Sequence, residues 1–436
     1  MQSCRMFHAL VALTLLVIAT PAAAVLQIEI TEGAAGARPI AVVPFGWAGE
    51  GDPPADIAGV ISNDLTRSGQ FEPMNREDHV SQPTRADDVR FGNWRTLGVD
   101  HVVIGRVEPL SDGSGYNVRF QLFDVARQEQ AAGYSYEVGR NGVRSLAHEI
   151  SDVVYEEITG ERGAFSTRIA YVAVEGSGDQ RRYTLQVSDY DGFNPRTVLT
   201  SRDPVMSPSW GPDGELLAYV SFEEGQPAIY VQRVVSGQRK KVSSRAGING
   251  APAWSPDGQR LAVTLSHEGN PEIYVLDLAR DETRRITRSG GIDTSAVWTP
   301  DGENLIFTSD RSGGPQIYSI PVDRSERARR LTFEGNYNAD PDVSPDGERL
   351  TFVHRMQNGR FRIAVLDRGS ELMRVVSEGQ LDESPTFAPN GRMILFATDH
   401  RGRGVLGSVS TDGRAAARLS QSQGDVREPA WGPFRD

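Results

Sequence analysis

The feature that most limits what this chain can fold into is a turn motif, x-Pro-Asp-Gly or x-Pro-Asn-Gly, returning through its second half at an almost constant interval. Six segments align on it: SPSWGPDGELLAYV from Ser207, APAWSPDGQRLAVT from Ala251, SAVWTPDGENLIFT from Ser295, DPDVSPDGERLTFV from Asp340, SPTFAPNGRMILFA from Ser384 and the truncated EPAWGPF from Glu428. Their prolines (Pro212, Pro256, Pro300, Pro345, Pro389, Pro433) stand 44, 44, 45, 44 and 44 residues apart. Proline presets φ at the second turn position, Asp bonds the local backbone, and Gly accepts the left-handed conformation that follows. A residue such as Trp210, Trp254, Trp298, Val343, Phe387 or Trp431 precedes each turn, and three β-rich stretches follow it, as in LAVTLS, EIYVLDL and RRIT. Four short strands every ~40–50 residues describe a propeller blade.

Five units are complete, starting at 207, 251, 295, 340 and 384. The sixth is split. Arg168 to Ser201 supplies RIAYVAVE, YTLQVSD and RTVLT but has no turn motif, and EPAWGPF at the C-terminus supplies the missing first strand. Pairing those two ends closes the ring and removes the exposed sheet edges that invite aggregation. The predicted fold is an all-β six-bladed propeller over residues 166–436.

Residues 38–165 follow another rhythm. RPIAVVPF from Arg38 reads as a buried strand, and Asp56 to Gly69 places Ile57, Val60, Ile61 and Leu65 on one helical face. HVVIGRV, YNVRFQLFDV and Tyr134 to Val138 read as strands, and Val143 to Ile158 as an apolar-faced helix. That alternation predicts a small α/β domain. Ahead of it, residues 25–37 (VLQIEITEGAAGA) form a strand-like stretch running into a flexible Ala/Gly segment. Residues 1–24 carry Arg5, the apolar run Ala9 to Thr20, Pro21 and then Ala22-Ala23-Ala24. This is the pattern of a cleavable secretory signal, shorter than the roughly 20 residues a bilayer span takes. The single cysteine, Cys4, lies within it, so the mature chain is expected to have no thiol or disulfide chemistry.

Composition excludes some functions. With 46 Lys+Arg against 58 Asp+Glu the net charge is -12, and no long basic run occurs, so nucleic acid is not an expected partner. A peptidase domain would need G-x-S-x-G, which is missing from the sequence. The enzymatic alternative is a hydrolase or lyase using paired carboxylates in the channel. A sugar-binding module would favour aromatics at the channel mouth, and the six loops read as facing it hold none.

Strand parity divides the ring into two ends. The turn motifs share one end with the hairpins joining third and fourth strands. The inter-blade loops share the other with the hairpins joining second and third strands. The turn end is uniform and reads as scaffold; the loop end varies on a fixed frame, which is where recognition belongs. Candidate partner-binding residues there are Met206, Ile248, Asn249, Asp293, Thr294, Asp340, Asp382, Glu383 and Glu428. His267, Arg311 and His400 fall at equivalent hairpin positions and read as exposed rim residues. Asp340, Asp382 and Glu383 carry the oxygen ligands calcium takes. No cofactor is required by this reading.

The segments RPIAVVPFGWAG, LGVDHVVIGRV, GAFSTRIAYV, VSDYDGFNP, NGAPAWSPDG, LDESPTFAPNG and STDGRAAARL together resemble the TolB family, the periplasmic component of the Tol-Pal system of Gram-negative bacteria. The resemblance covers essentially the whole mature chain. It implies a periplasmic, non-enzymatic scaffold and switch whose propeller binds the peptidoglycan-associated lipoprotein Pal and whose mature N-terminus binds TolA. Maintenance of outer-membrane integrity and support of its constriction at division follow from the same resemblance. By position it adds Ala251 to the Pal-contacting set beside Thr294, and it assigns TolA binding to Val25, Leu26, Gln27, Ile28, Glu29 and Ile30. Where the family pattern carries a histidine, this chain has Ile248. Colicins as further partners, calcium in the channel, membrane contact only through partners and a monomeric state complete the expectations.

Overall fold

In the computed structural model, which describes residues 27–32, 36–420 and 424–435, the repeat folds into six blades of antiparallel strands around one channel. The expected signal peptide, with Val25 and Leu26, lies outside the described residues. Blade 1 pairs Arg168–Glu175, Arg182–Asp189 and Arg196–Ser201 with the C-terminal Asp425–Trp431 as its innermost strand, Ala430 opposite Ala170 and Trp431 opposite Ile169. The ring is therefore closed by the two ends of the propeller, as the split repeat predicts. Blades 2 to 6 begin with the inner strands Val205–Trp210, Asn249–Trp254, Asp293–Trp298, Asn338–Val343 and Asp382–Phe387. Among the described residues no helix is long and apolar enough to cross a membrane.

The tryptophans before the turns join one blade to the next. Trp210 donates its indole N–H to the Ala430 carbonyl (3.2 Å), Trp254 to Ser209 (3.2 Å) and Trp298 to Ala253 (3.1 Å). A buried indole needs a partner for that N–H, and the inner strand of the preceding blade supplies it each time. Blades 5 and 6 carry Val343 and Phe387 at this position. There the side chain of Asp342 takes over and accepts the Phe387 backbone N–H at 2.7 Å.

The N-terminal domain is a mixed sheet in the order Phe71–Pro73, Arg38–Val42, His101–Pro109, Gly115–Asp124, Glu129–Gly139, the first three parallel and the rest antiparallel. Helices α1 (Ile57–Arg67) and α3 (Val143–Thr159) bury Ile57, Ile61, Leu65, Leu146, Ile150 and Val154 against one face. Asp56 caps α1 by accepting the Gly59 N–H at 3.0 Å, a helix start of the expected kind. The short helix α2 (Phe91–Thr96) carries Trp94 into a second core on the opposite face; its six residues are too few for a periodic signal.

The linker explains the junction motif. In GAF-x-TRIAYV, a Cβ on Gly163 would sit 2.6 Å from the Asp152 Cα, so only glycine fits. Asp152 accepts the N–H groups of Phe165 (2.7 Å) and Ser166 (3.0 Å), and Thr167 accepts the Trp431 indole at 2.9 Å. The domain docks on the turn end of blades 6 and 1. Blade 6 is the one repeat with Asn in place of the turn aspartate, and Asn390 uses its amide to donate to the Arg162 carbonyl (3.1 Å), which a carboxylate could not do. Arg392 beside it pairs with Glu161.

Within residues 25–37, expected to be flexible, Gln27–Glu32 forms a strand antiparallel to Ala416–Ser420, the outer strand of blade 6, with Ile28 opposite Leu419 and Ile30 opposite Ala417. The unpaired edge of that outer strand is a template for a further one, and the β-rich sequence QIEITE meets it.

Candidate functional site

The six inner strands line a channel cavity of about 390 Å³ that runs from their bulges near the loop end to Pro212, Pro345, Pro389 and Pro433 of the turn motifs. Each carries one residue with a left-handed backbone: Ser207 (φ 50°), Ala251 (45°), Ser295 (52°), Asp340 (56°), Ser384 (51°) and Glu428 (53°). Pairing with the second strand slips at each of these points, the mark of a β-bulge. Non-glycine residues in this region cost of order 1–3 kcal/mol each. Their repetition once per blade makes the bulge a shared device that turns six chain segments into the channel mouth.

The bulges sort the predicted residues into two groups. Asn249, Asp293 and Asp382, at the first position of their strands, have buried side chains at 1, 0 and 0 % exposure. Asn249 accepts from Ser243 (2.6 Å) and the Arg245 N–H (2.9 Å). Asp293 accepts from Arg311 at 2.6 Å, and Asp382 from Ser377, Thr398 and the Gly379 N–H. They hold the inter-blade loops rather than present themselves at the surface. Asn338 does the same in blade 5, donating to Gln316 at 2.9 Å and meeting His354 at 2.8 Å.

The residue before each of these points outward. Ile248, Ile292 and Leu381 are 45, 49 and 44 % exposed, and Tyr337 stands at the same position in blade 5, half-buried against Phe361. Four consecutive blades thus line one arc of the mouth with large apolar or aromatic groups. Exposed apolar side chains at matching positions mark an interaction surface. Of the four only Ile248 stands among the candidate residues, and Tyr337 places an aromatic group near the mouth, where none was expected. Met206, Ala251 and Thr294 are half-buried, with the Thr294 hydroxyl 3.3 Å from that of Thr264.

Charge is distributed unevenly around the channel. Blades 2 to 4 contribute Ser207, Ser209, Ala251, Ala253, Ser295 and Val297 to its wall, while blades 5 and 1 contribute Asp340, Asp342 and Glu428. Burial, reinforced by the Glu383 carboxylate, pushes Asp340 up to about 6. Burial does the same to Asp342, and it lifts Glu428 to about 7 with help from Asp340. Glu428 accepts the Ser207 N–H at 3.2 Å. Glu383 is exposed at the rim. The two acids of blade 5 stand at joints that lack an indole bolt, whereas Glu428 stands at the joint that Trp210 spans.

Asp340, Asp382 and Glu383 do not come together as a set of calcium ligands, because both Asp382 oxygens are taken up inside blade 6. Among the described residues no group of three or more His, Cys, Asp or Glu is placed to hold a metal ion, so no step here runs through a cation. Nor do the three hairpin residues share a site. Arg311 turns inward to Asp293, His267 packs beside Tyr274 (centroids 5.1 Å apart), and His400 lies on the second strand of blade 6.

Comparisons with known proteins agree with this architecture. Residues 155–435 match the family described as the TolB beta propeller domain, and residues 26–131 the TolB amino-terminal domain. The chain is 54% identical over 413 residues to a Tol-Pal system protein TolB of Xanthomonas campestris pv. campestris, covering 94% of this chain and 93% of the relative. It is 53% identical over 432 residues to one from Xanthomonas oryzae pv. oryzae, covering 98% of both. The crystal structure of TolB from Acinetobacter baumannii superposes with a TM-score of 0.87 at 40% identity, over 94% of this chain and 100% of the other.

Proposed function

The chain belongs to the TolB family, and from that premise we propose that it is a non-enzymatic periplasmic scaffold of the Tol-Pal system whose propeller receives the peptidoglycan-associated lipoprotein at the loop end. The observation that carries this reading is the row of exposed Ile248, Ile292 and Leu381 beside the acidic arc of the channel mouth. A partner that covers the row removes apolar surface from water at roughly 25 cal/mol per Å², and the acidic arc selects against a partner surface of the same charge. The channel carboxylates are held in part by backbone N–H groups of Ser207, Ser384 and Phe387, which favours a structural role for them over hydrolysis. The mature N-terminus, Val25 to Ile30, is the segment we assign to TolA. Through these two contacts the protein would link the lipoprotein to TolA, maintaining outer-membrane integrity and supporting its constriction at division. Colicins that exploit the same face are proposed as further partners.

The test is calorimetric titration of the mature protein with the soluble domain of its own Pal-type lipoprotein, beside the Thr294→Arg variant. Binding that the variant loses supports the assignment. No binding at high micromolar concentration overturns it.

A further inference from the structure

The junction between the two domains contains a cluster of charged side chains that are buried or half-buried. Asp64 and Arg67 come from α1, Arg144, His148, Ser151 and Asp152 from α3, and Asp189, Tyr190 and Asp191 from the propeller, at the end of the strand Arg182–Asp189 in blade 1. Asp64, His148 and Asp191 are 0, 2 and 4 % exposed. Buried charges persist only when paired and hydrogen-bonded. Asp64 is fully served: one oxygen accepts from the Tyr190 hydroxyl (2.7 Å), and the other from Ser151 (2.7 Å) and His148 Nδ1 (2.7 Å). Arg67 donates to the Tyr190 hydroxyl at 2.9 Å, and Arg144 pairs with Asp191.

Three atoms of the cluster have no hydrogen-bond partner, Arg67 Nε, Arg144 Nε and His148 Nε2, and only the last belongs to a group that titrates near neutral pH. Because Nδ1 donates to a carboxylate, the proton that comes and goes is on Nε2. Nε2 has no hydrogen-bond partner and lies 3.7 Å from Asp191 Oδ2, across the domain boundary. A charged ring presents an N–H to that carboxylate, whereas a neutral ring presents a lone pair to it. The same carboxylate is approached by Arg144 and, at 3.9 Å, by Arg67, and Asp189 and Arg435 line the neighbouring cleft with His148. We propose that His148 is a proton-operated latch: protonated at Nε2, it clamps the N-terminal domain onto the propeller through Asp191, and deprotonated, it loosens that junction.

The direction follows from the surroundings. Burial alone depresses the imidazole, but the Asp64 carboxylate, its hydrogen bond and Asp191 outweigh it, so the folded value stands above the ordinary one. A raised value means that the stabilisation is complete below about pH 6.5 and is lost as pH rises through the folded value.

Hydrogen exchange of the full mature chain between pH 5.5 and 9, corrected for intrinsic chemistry, reads the opening of α3 and of residues 186–193. The expected result is a rise of the opening constant above about pH 6.5, about tenfold for each unit by which the folded His148 value exceeds the opened one, beyond the change that Asp152, its carboxyl pushed up to about 6 by burial, contributes below that pH. His148→Gln should show the open level at every pH, without a step. Should that variant fail to fold, Asp191→Asn, which removes only the far carboxylate, is expected to shrink the step. A wild type with no step, or a step that persists unchanged in the folded variants, overturns the latch.

Discussion

The two ends of the propeller are built from the same strands and do opposite work. At the turn end the chain repeats itself: proline, aspartate and glycine recur because the turn needs each of them, and among the five complete repeats the one departure, Asn390, is where the N-terminal domain docks. At the loop end the backbone also repeats, with one left-handed residue per blade, but the side chains change from one blade to the next. A backbone held constant while its side chains vary is how a ring presents distinct chemistry at six equivalent places. Uniform side chains there would have built a second scaffold face.

That contrast predicts a separation of effects. The largest is expected from Ile292→Asp at the loop end. It should weaken lipoprotein binding by about 2 kcal/mol or more, as anchor residues do, while calorimetric unfolding stays within about 0.5 kcal/mol of wild type. Next in size is Glu428→Gln. A carboxyl raised to about 7 by burial binds its proton more tightly folded than unfolded, so stability falls as pH rises from about 4 to 7. The variant should therefore be more stable at pH 8 by about 1–3 kcal/mol, an advantage that fades as pH drops toward 4. Equal stability at pH 8 would mean that the acidic arc carries no such penalty. The smallest effect belongs to the turn end. Asn390→Asp removes the donor to the Arg162 carbonyl, with an expected loss of about 1 kcal/mol and unchanged lipoprotein affinity.

The two ends also differ in how far they could be read from sequence. Blade number, the split first blade and ring closure were all legible, because the turn motif needs local chemistry that a sequence must spell out. The sign of the loop-end residues was not. Alternation along a strand says which side chains share a face, but a bulge reverses that alternation, and nothing in Ser-Pro or Glu-Pro announced one. Asn249, Asp293 and Asp382 therefore read as surface polar groups, although their partners Ser243, Arg311 and Ser377 wait on a neighbouring strand end or loop. Asp342 was hidden for a related reason: its role appears only beside the missing tryptophans. The interdomain cluster around His148 draws on residues 64, 148 and 191, a separation that no periodicity connects.

The most direct test of the division between the two ends is a hydrogen-exchange footprint of the mature protein with and without the lipoprotein domain. Protection confined to residues 247–251, 291–295, 336–340 and 380–384, with the turn motifs unchanged, is the predicted result. Protection centred on the x-Pro-Asp-Gly turns, with the inter-blade loops unaffected, would contradict it.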